Sequence, residues 1–187
     1  MEQLIKFIES KVNIEESEME VILSKFKKKF IEKGRFLLNK GQIAQQYYYV
    51  NSGGLRFFVG EYDHQETTWV VFQNEFFTEI ASLSLQHSSR FNIEAIEDTE
   101  LFYIEKKDME NLYKILPIWQ EFGRKTWEQM SVRLIEYIIL FQTLSAEQRY
   151  LEFVKTPELL QKVPIKHLAS YIGITPNALS RIRKNIR

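Results

Sequence analysis

The 187-residue chain contains no cysteine. Disulfides, zinc sites with thiolate ligands and cysteine-bound iron–sulfur clusters are therefore excluded, and the composition fits a reducing cytoplasm. Its three histidines, His64, His87 and His167, are scattered; each reads as a surface residue rather than a haem ligand, so neither a metal nor a cofactor is expected. No apolar run approaches the ~20 residues of a membrane span, and the N-terminal MEQLIKFIES lacks the apolar centre of a signal peptide. The expected location is the cytoplasm, with no membrane partner. The sequence also lacks a Gly-rich phosphate loop and a nucleophile set among paired carboxylates, so no enzymatic activity is expected. Seven Gly and four Pro beside 44% apolar residues describe a globular chain long enough for a real core.

Charge is balanced overall but not along the chain. Between Pro164 and Arg187 stand Lys166, Arg181, Arg183, Lys184 and Arg187 with no carboxylate, so residues 1–163 carry five net negative charges. A basic end on an acidic body suits contact with a polyanion.

Ile14, Met19, Ile22, Leu23 and Phe26 recur at helical spacing, predicting helix through the first thirty residues. The run Lys25–Lys29 then reads as a cationic helix C-terminus or, more sharply, as a nucleic-acid patch. From Gly34 to Glu105 the pattern becomes short aromatic and β-branched segments: Phe36–Asn39, Tyr47–Asn51, Leu55–Val59, Thr67–Phe72, Phe91–Ala95 and Leu101–Glu105. Gly41, Ser52-Gly53-Gly54 and Tyr62-Asp63-His64 supply turns. Many short strands without intervening helices predict an antiparallel jelly-roll barrel.

Pro117 opens a long helical pattern in which Ile118, Phe122, Met130, Leu134, Tyr137, Ile138 and Phe141 share one broad face, widened by Trp119, Trp127 and Ile135. A small β-domain can cover only part of such a helix, so pairing with a second copy is expected; packing wholly on its own chain is the alternative. Ser145 and Gln148 form a capping-box start for Ala146 to about Lys155, Thr156-Pro157 breaks that helix, and a short amphipathic stretch follows to Pro164.

The segment from Val163 to Arg187 carries the functional signal. Leu168, Ala169 and Ile172 form the inner face of a first helix. Gly173 stands where a tight turn needs positive φ, Thr175 suits an N-cap and Pro176 a first helical position. Leu179 and Ile182 face inward from a second helix, Pro176 to Asn185, whose opposite face presents Asn177, Ser180, Arg181 and Lys184. Arg and Asn pair with base edges, while Ser and Lys hold phosphates. A small residue followed four positions later by Gly matches a DNA-reading helix-turn-helix.

The order of parts resembles the Crp/Fnr family of bacterial regulators over nearly the whole chain. FIEKGRFLLNKGQIAQQYYYVNSGGLRFF (30–58) resembles the opening strands of a cyclic-nucleotide-binding barrel, and EAIEDTELFYIEKKDMENL (94–112) its closing strands. HLASYIGITPNALSRIRK (167–184) resembles the family's helix-turn-helix. The resemblance implies a sensor barrel, a dimerising central helix and a DNA reader whose base contacts fall at Pro176, Asn177, Ser180 and Arg181. Asn177 stands where Glu is frequent, which implies a different half-site. The sequence stops at Arg187, before the β-hairpin wing the family often carries, so the helix is expected to bear the contacts alone.

In the phosphate-binding segment, Thr78-Glu79 replaces the family's Gly-Glu pair. Ser89 and Arg90 stand in the reverse order of its Arg-Ser pair. A one-residue shift along a strand turns a side chain to the other face, so Arg90 is expected to point away from the site. The pocket segment, Thr78, Glu79, Ile80, Ala81, Ser88, Ser89 and Arg90, is then altered or empty and cAMP is not its ligand.

The expected protein is thus α+β: a sensor domain at 1–115, a dimerisation helix at 116–144 and a helix-turn-helix domain at 145–187. It would bind double-stranded DNA through Thr175, Pro176, Asn177, Ser180, Arg181 and Lys184 and pair as a homodimer through 117–143. Further expected partners are a small-molecule effector of unknown identity and RNA polymerase. The alternative is a small-molecule sensor module whose C-terminal helices no longer touch DNA.

Overall fold

A computed structural model describes residues 1–61 and 64–186, so Tyr62 and Asp63 of the third expected turn, and Arg187, lie outside the described residues. The chain opens with α1 (Glu2–Glu9) and α2 (Glu16–Leu23). It continues through β1 (Lys27–Ile31), β2 (Phe36–Leu38), β3 (Gln46–Ser52), β4 (Gly54–Val59), β5 (Glu66–Phe72) and β6 (Phe76–Phe77). The short α3 (Ile80–Leu85) precedes β7 (Asn92–Ala95) and β8 (Thr99–Glu105). Six helices follow: α4 (Lys106–Ile115), α5 (Pro117–Thr143), α6 (Ala146–Val154), α7 (Pro157–Lys162), α8 (Ile165–Ile172) and α9 (Pro176–Asn185).

The strands form two antiparallel four-stranded sheets, β1-β8-β3-β6 and β2-β7-β4-β5. The α+β class with antiparallel sheets and flanking helices is as expected. The hairpin joining β3 to β4 turns at Gly53, whose φ of 92° suits a residue without Cβ. A Cβ there would lie 2.6 Å from the carbonyl oxygen of Asp98.

The lysine run is a correction. Helix α2 stops at Leu23, and Lys27, Lys28 and Lys29 belong to β1, paired in register with β8. Lys28 reaches Glu100 on β8 at 2.5 Å, and Ile31 turns into the core. Cations on an edge strand discourage pairing with another chain, which gives the run a place in the sheet rather than at a helix C-terminus. The closing segment differs too: after β8 the chain enters α4, so Lys106–Leu112 is helix rather than strand.

Helix α5 has 27 residues and spans about 40 Å. Its apolar residues do not share one face, as the sequence pattern suggested. Trp119 and Phe122 stack with ring centroids 4.2 Å apart and are buried in the barrel core. Gly123 gives Tyr113 of α4 room, since an added Cβ would stand 2.6 Å from its hydroxyl. Further along, Tyr137 and Phe141 pack against Trp69, Phe153 and Tyr171. At 100° per residue, Val132, Ile135 and Ile139 lie roughly opposite Tyr137. Those three, with Leu134 and Ile138 on the flank, are about half exposed, 57% for Ile135.

A second core joins the C-terminal helices to the outer face of the β2-β7-β4-β5 sheet. It holds Val70, Phe72 and Ile96 beside Tyr150, Phe153, Leu159, Val163, Leu168, Ala169, Tyr171, Ile172 and Leu179. Helix α6 starts at the expected capping box, with Ser145 and Gln148 each bonded to the other's backbone. Among the described residues, no helix is long and apolar enough to cross a membrane, and no cluster of three metal-ligating side chains occurs.

Candidate nucleic-acid interface and the altered barrel pocket

Helix α8 ends because Gly173 takes the left-handed conformation, φ 80° and ψ 36°. Its N–H donates to the Ser170 carbonyl at 2.9 Å, and the Ile174 N–H donates to the Ala169 carbonyl at 3.0 Å. This pair of bonds is a Schellman closure, and Ile174 packs against the second core. Two residues later, Thr175 caps α9, its hydroxyl accepting from the Ala178 N–H at 3.2 Å. Pro176 then occupies the first helical position. Leu179 is fully buried against α8, which fixes the rotation of α9 about its axis.

That rotation exposes Asn177, Ser180, Arg181 and Lys184, with Thr175 and Pro176 exposed at the helix start. The spacing i, i+3, i+4, i+7 places the four on one stripe. None of the four side chains is hydrogen-bonded within the protein among the described residues, whereas the nearby Arg183 side chain donates to the Tyr150 hydroxyl at 3.2 Å. Residues 165–186 hold no carboxylate. The stripe therefore offers unspent donors in a positive field, the surface needed to meet phosphates and base edges.

Substituting Gly173 tests the turn. Gly173→Ala places a Cβ at 3.3 Å from the Phe141 ring and forces an L-residue into positive φ. About 1–2 kcal/mol of stability should be lost from the helical region. Thermal unfolding followed by circular dichroism reads the loss, and an unchanged midpoint would contradict the Schellman closure.

The helix pair is anchored by contacts the sequence did not reveal. Arg56 on β4 is only 2% exposed. It donates to Glu94 of β7 at 2.6–2.8 Å, to Gln65, and at 2.9 Å to Nδ1 of His167 on α8. Its guanidinium also lies 4.1 Å from the Phe58 ring. Beside it the Thr67 N–H donates to the Ser170 hydroxyl at 2.6 Å. Burial lowers the Arg56 pKa, an effect opposed by the hydrogen bond and charge of Glu94. Burial, then the cations Arg56 and Lys166, push His167 down to about 4. His167 is therefore neutral at pH 7 and accepts on Nδ1. It is not the surface residue the sequence suggested.

The barrel pocket differs in detail from its expected form. Glu79 is buried, and its carboxylate oxygens accept from the Ala81 and Ser82 N–H groups at 3.2 and 3.1 Å, capping α3. Thr78 donates to the Gln46 carbonyl at 2.8 Å, Ser89 is bonded locally to Phe91, and Ile80 lies exposed. Glu79, Ala81, Ser88 and Arg90 do come together, lining a cavity of about 300 Å³ with Ser82, Leu85, His87 and Phe91. Arg90 thus reaches the cavity rather than turning away, because the chain between α3 and β7 is a loop and not a strand. Thr78, Ile80 and Ser89 do not line it. Behind it the barrel interior is filled by Phe57, Phe77 and Phe91, with Phe57 5.8 Å from Phe77 and 6.3 Å from Phe91.

Residues 28–115 match the family model of the cyclic nucleotide-binding domain. No curated protein sequence matched the chain. Among solved structures, the c-di-GMP-responsive global regulator CLP of Xanthomonas campestris aligns with a TM-score of 0.70 and 17% identity, covering 92% of this chain and 91% of that one. The catabolite activator protein of Thermus thermophilus aligns at 0.57 and 23%, covering 93% and 84%. A protein of Eubacterium rectale described as a Crp/Fnr-family transcriptional regulator aligns at 0.65 and 15%, covering 92% and 83%. At these identities the matches establish a shared fold alone.

Proposed function

We propose that this chain is a sequence-specific DNA-binding transcriptional regulator of the Crp/Fnr type, acting as a homodimer and not responding to cAMP. The observation that carries the reading is the acid-free, unpartnered stripe of Asn177, Ser180, Arg181 and Lys184, held outward on α9 by the buried Leu179. Two such helices, related by a dimer axis, would enter successive major grooves about 34 Å apart. The half-exposed Val132, Ile135 and Ile139 on α5 supply a self-complementary apolar seam for that axis. The fold shared with CLP and the catabolite activator protein, whose names describe them as regulators, supports the same assignment. RNA polymerase is the natural further partner of a regulator of this kind.

Binding to mixed duplex fragments, titrated by fluorescence anisotropy at several salt concentrations, tests the reading. Affinity should fall steeply with salt, because phosphate contacts release counterions. Salt-independent affinity, or none, would contradict it.

For the barrel, calorimetry should show no cAMP binding at micromolar concentrations. The Glu79 carboxylate already accepts two backbone N–H bonds, and the interior holds aromatic rings. Tight binding abolished by Glu79→Ala would overturn this part of the account. The cavity beside Arg90 favours one rival reading, a small-molecule sensor whose C-terminal helices have lost DNA binding. On that reading Arg181→Ala has no effect on DNA affinity.

A further inference from the structure

Apolar packing between α8 and the sheet is non-directional, since Val70, Phe72 and Ile96 can meet Leu168, Tyr171 and Ile172 over a range of angles. Direction comes from polar groups, and here they converge on one buried side chain. We infer that Arg56 is a positioning residue for the C-terminal helix pair: its contact with His167, beside the Thr67–Ser170 bond, fixes how α8 and hence α9 are oriented on the barrel.

Placement of Arg56 makes it a coupling point as well. Along β4, Leu55 and Phe57 point into the barrel core while Arg56 points out to His167 on α8. Phe57 touches Phe77 and Phe91, and Phe91 lines the cavity beside Glu79 and Arg90. Glu94, the carboxylate that holds Arg56, stands on β7, which pairs with β4 through Arg56↔Glu94 itself. A displacement of β4 or β7 by an occupant of that cavity reaches α8 through one guanidinium. The two bonds bridge 111 and 103 residues of sequence, from Arg56 to His167 and from Thr67 to Ser170.

The contact requires neutral His167, because a protonated imidazole has no acceptor for the Arg56 N–H. The groups facing His167 are Arg56 on β4, Glu94 on β7 through Arg56, and its own neighbour Lys166. Glu66 and His64 line the cleft next to Ser170. A proton on His167 would place a cation between Arg56 and Lys166. With the imidazole pKa pushed down to about 4 from an ordinary 6.5, the contact's contribution to stability is fully present above pH 6.5, and the contact itself is lost as pH falls through about 4.

The absence of native cysteine makes a direct test simple. Spin labels on Lys40→Cys in the barrel and Asn185→Cys on α9, in labelled chains diluted with excess unlabelled chains so that only distances within one protomer are read, report the distance between the two parts in the full-length protein. The unsubstituted latch should give one narrow distance distribution at pH 7, broadening as the sample is acidified toward pH 4. His167→Leu with Ser170→Ala should broaden it at least twofold at pH 7 while the far-ultraviolet circular dichroism stays unchanged. His167→Gln keeps an acceptor that does not titrate, and should stay narrow at both pH values. A His167→Leu, Ser170→Ala protein as narrow as the parent would overturn the positioning role. Acid broadening in His167→Gln equal to the parent's would overturn the role of His167 in the pH response. No DNA enters the measurement, so its failure leaves the proposed DNA binding standing, and the converse holds.

Discussion

Replacing Ile135 and Ile139 together with aspartate is expected to turn the protein from dimer to monomer at micromolar concentration. DNA affinity should fall with it, by on the order of 10²–10⁴-fold. Both side chains are already more than half exposed in the protomer, 57% and 53%, so the substitution leaves the fold of each copy intact. At the seam the effect is large. Full burial of an isoleucine contributes roughly 1.5–3 kcal/mol, and each aspartate instead brings a carboxylate that must be desolvated without a partner. In a two-fold interface every change occurs twice. Val132, Leu134 and Ile138 extend the same exposed surface, so a single substitution would leave most of it in place. Sedimentation reads the outcome. A parent protein that is already monomeric near 22.4 kDa, or a double variant that still dimerises, would remove α5 as the dimer helix.

Arg181→Ala is expected to reduce specific DNA affinity by ~30- to 10⁴-fold in the dimer. A bidentate arginine–guanine pair discriminates by about 1–3 kcal/mol, and two half-sites double the loss. Lys184→Ala should behave differently. A phosphate contact carries no sequence information, so affinity should drop similarly for all duplexes and the salt slope should shrink by about 2 per dimer. Neither side chain supports the fold, since both are exposed and lack a hydrogen-bonded partner among the described residues. The pair therefore separates reading from holding. Equal effects of the two substitutions on specific and random duplexes would show that α9 holds DNA without reading it.

Much of this arrangement was legible in the sequence where one residue type does one local job. Gly173 read as a positive-φ turn between two helices and Thr175-Pro176 as the start of the next, and both are so. Runs such as Tyr47–Asn51 and Leu55–Val59 announced strands because aromatic and β-branched side chains fit a pleated surface covered on both sides. The lysines of β1 concealed a strand, because an edge strand may alternate solvent-facing cations with few apolar residues and leaves only Ile31 as an inward anchor. Helix α5 misled for the opposite reason. Its apolar residues serve the barrel, the C-terminal helices and the exposed seam, and a single helical wheel merges them. Arg56 and His167 were invisible because their partnership exists only after the sheet and α8 dock, and no spacing rule joins residues 111 apart. Arg90 was misplaced by assuming strand alternation in a segment that folds as a loop.

The central claim is that α9 reads a sequence as half of a two-fold pair. Selection of bound duplexes from a random DNA pool, carried out in parallel with the parent protein and Arg181→Ala, tests it most directly. The parent should enrich an inverted repeat whose half-sites lie about 10–10.5 base pairs apart, or a multiple of that. Arg181→Ala should lose the preference at one base pair of each half-site while keeping weak, salt-sensitive binding. A pool that stays unenriched, or the same repeat recovered equally well with Arg181→Ala, would contradict the account.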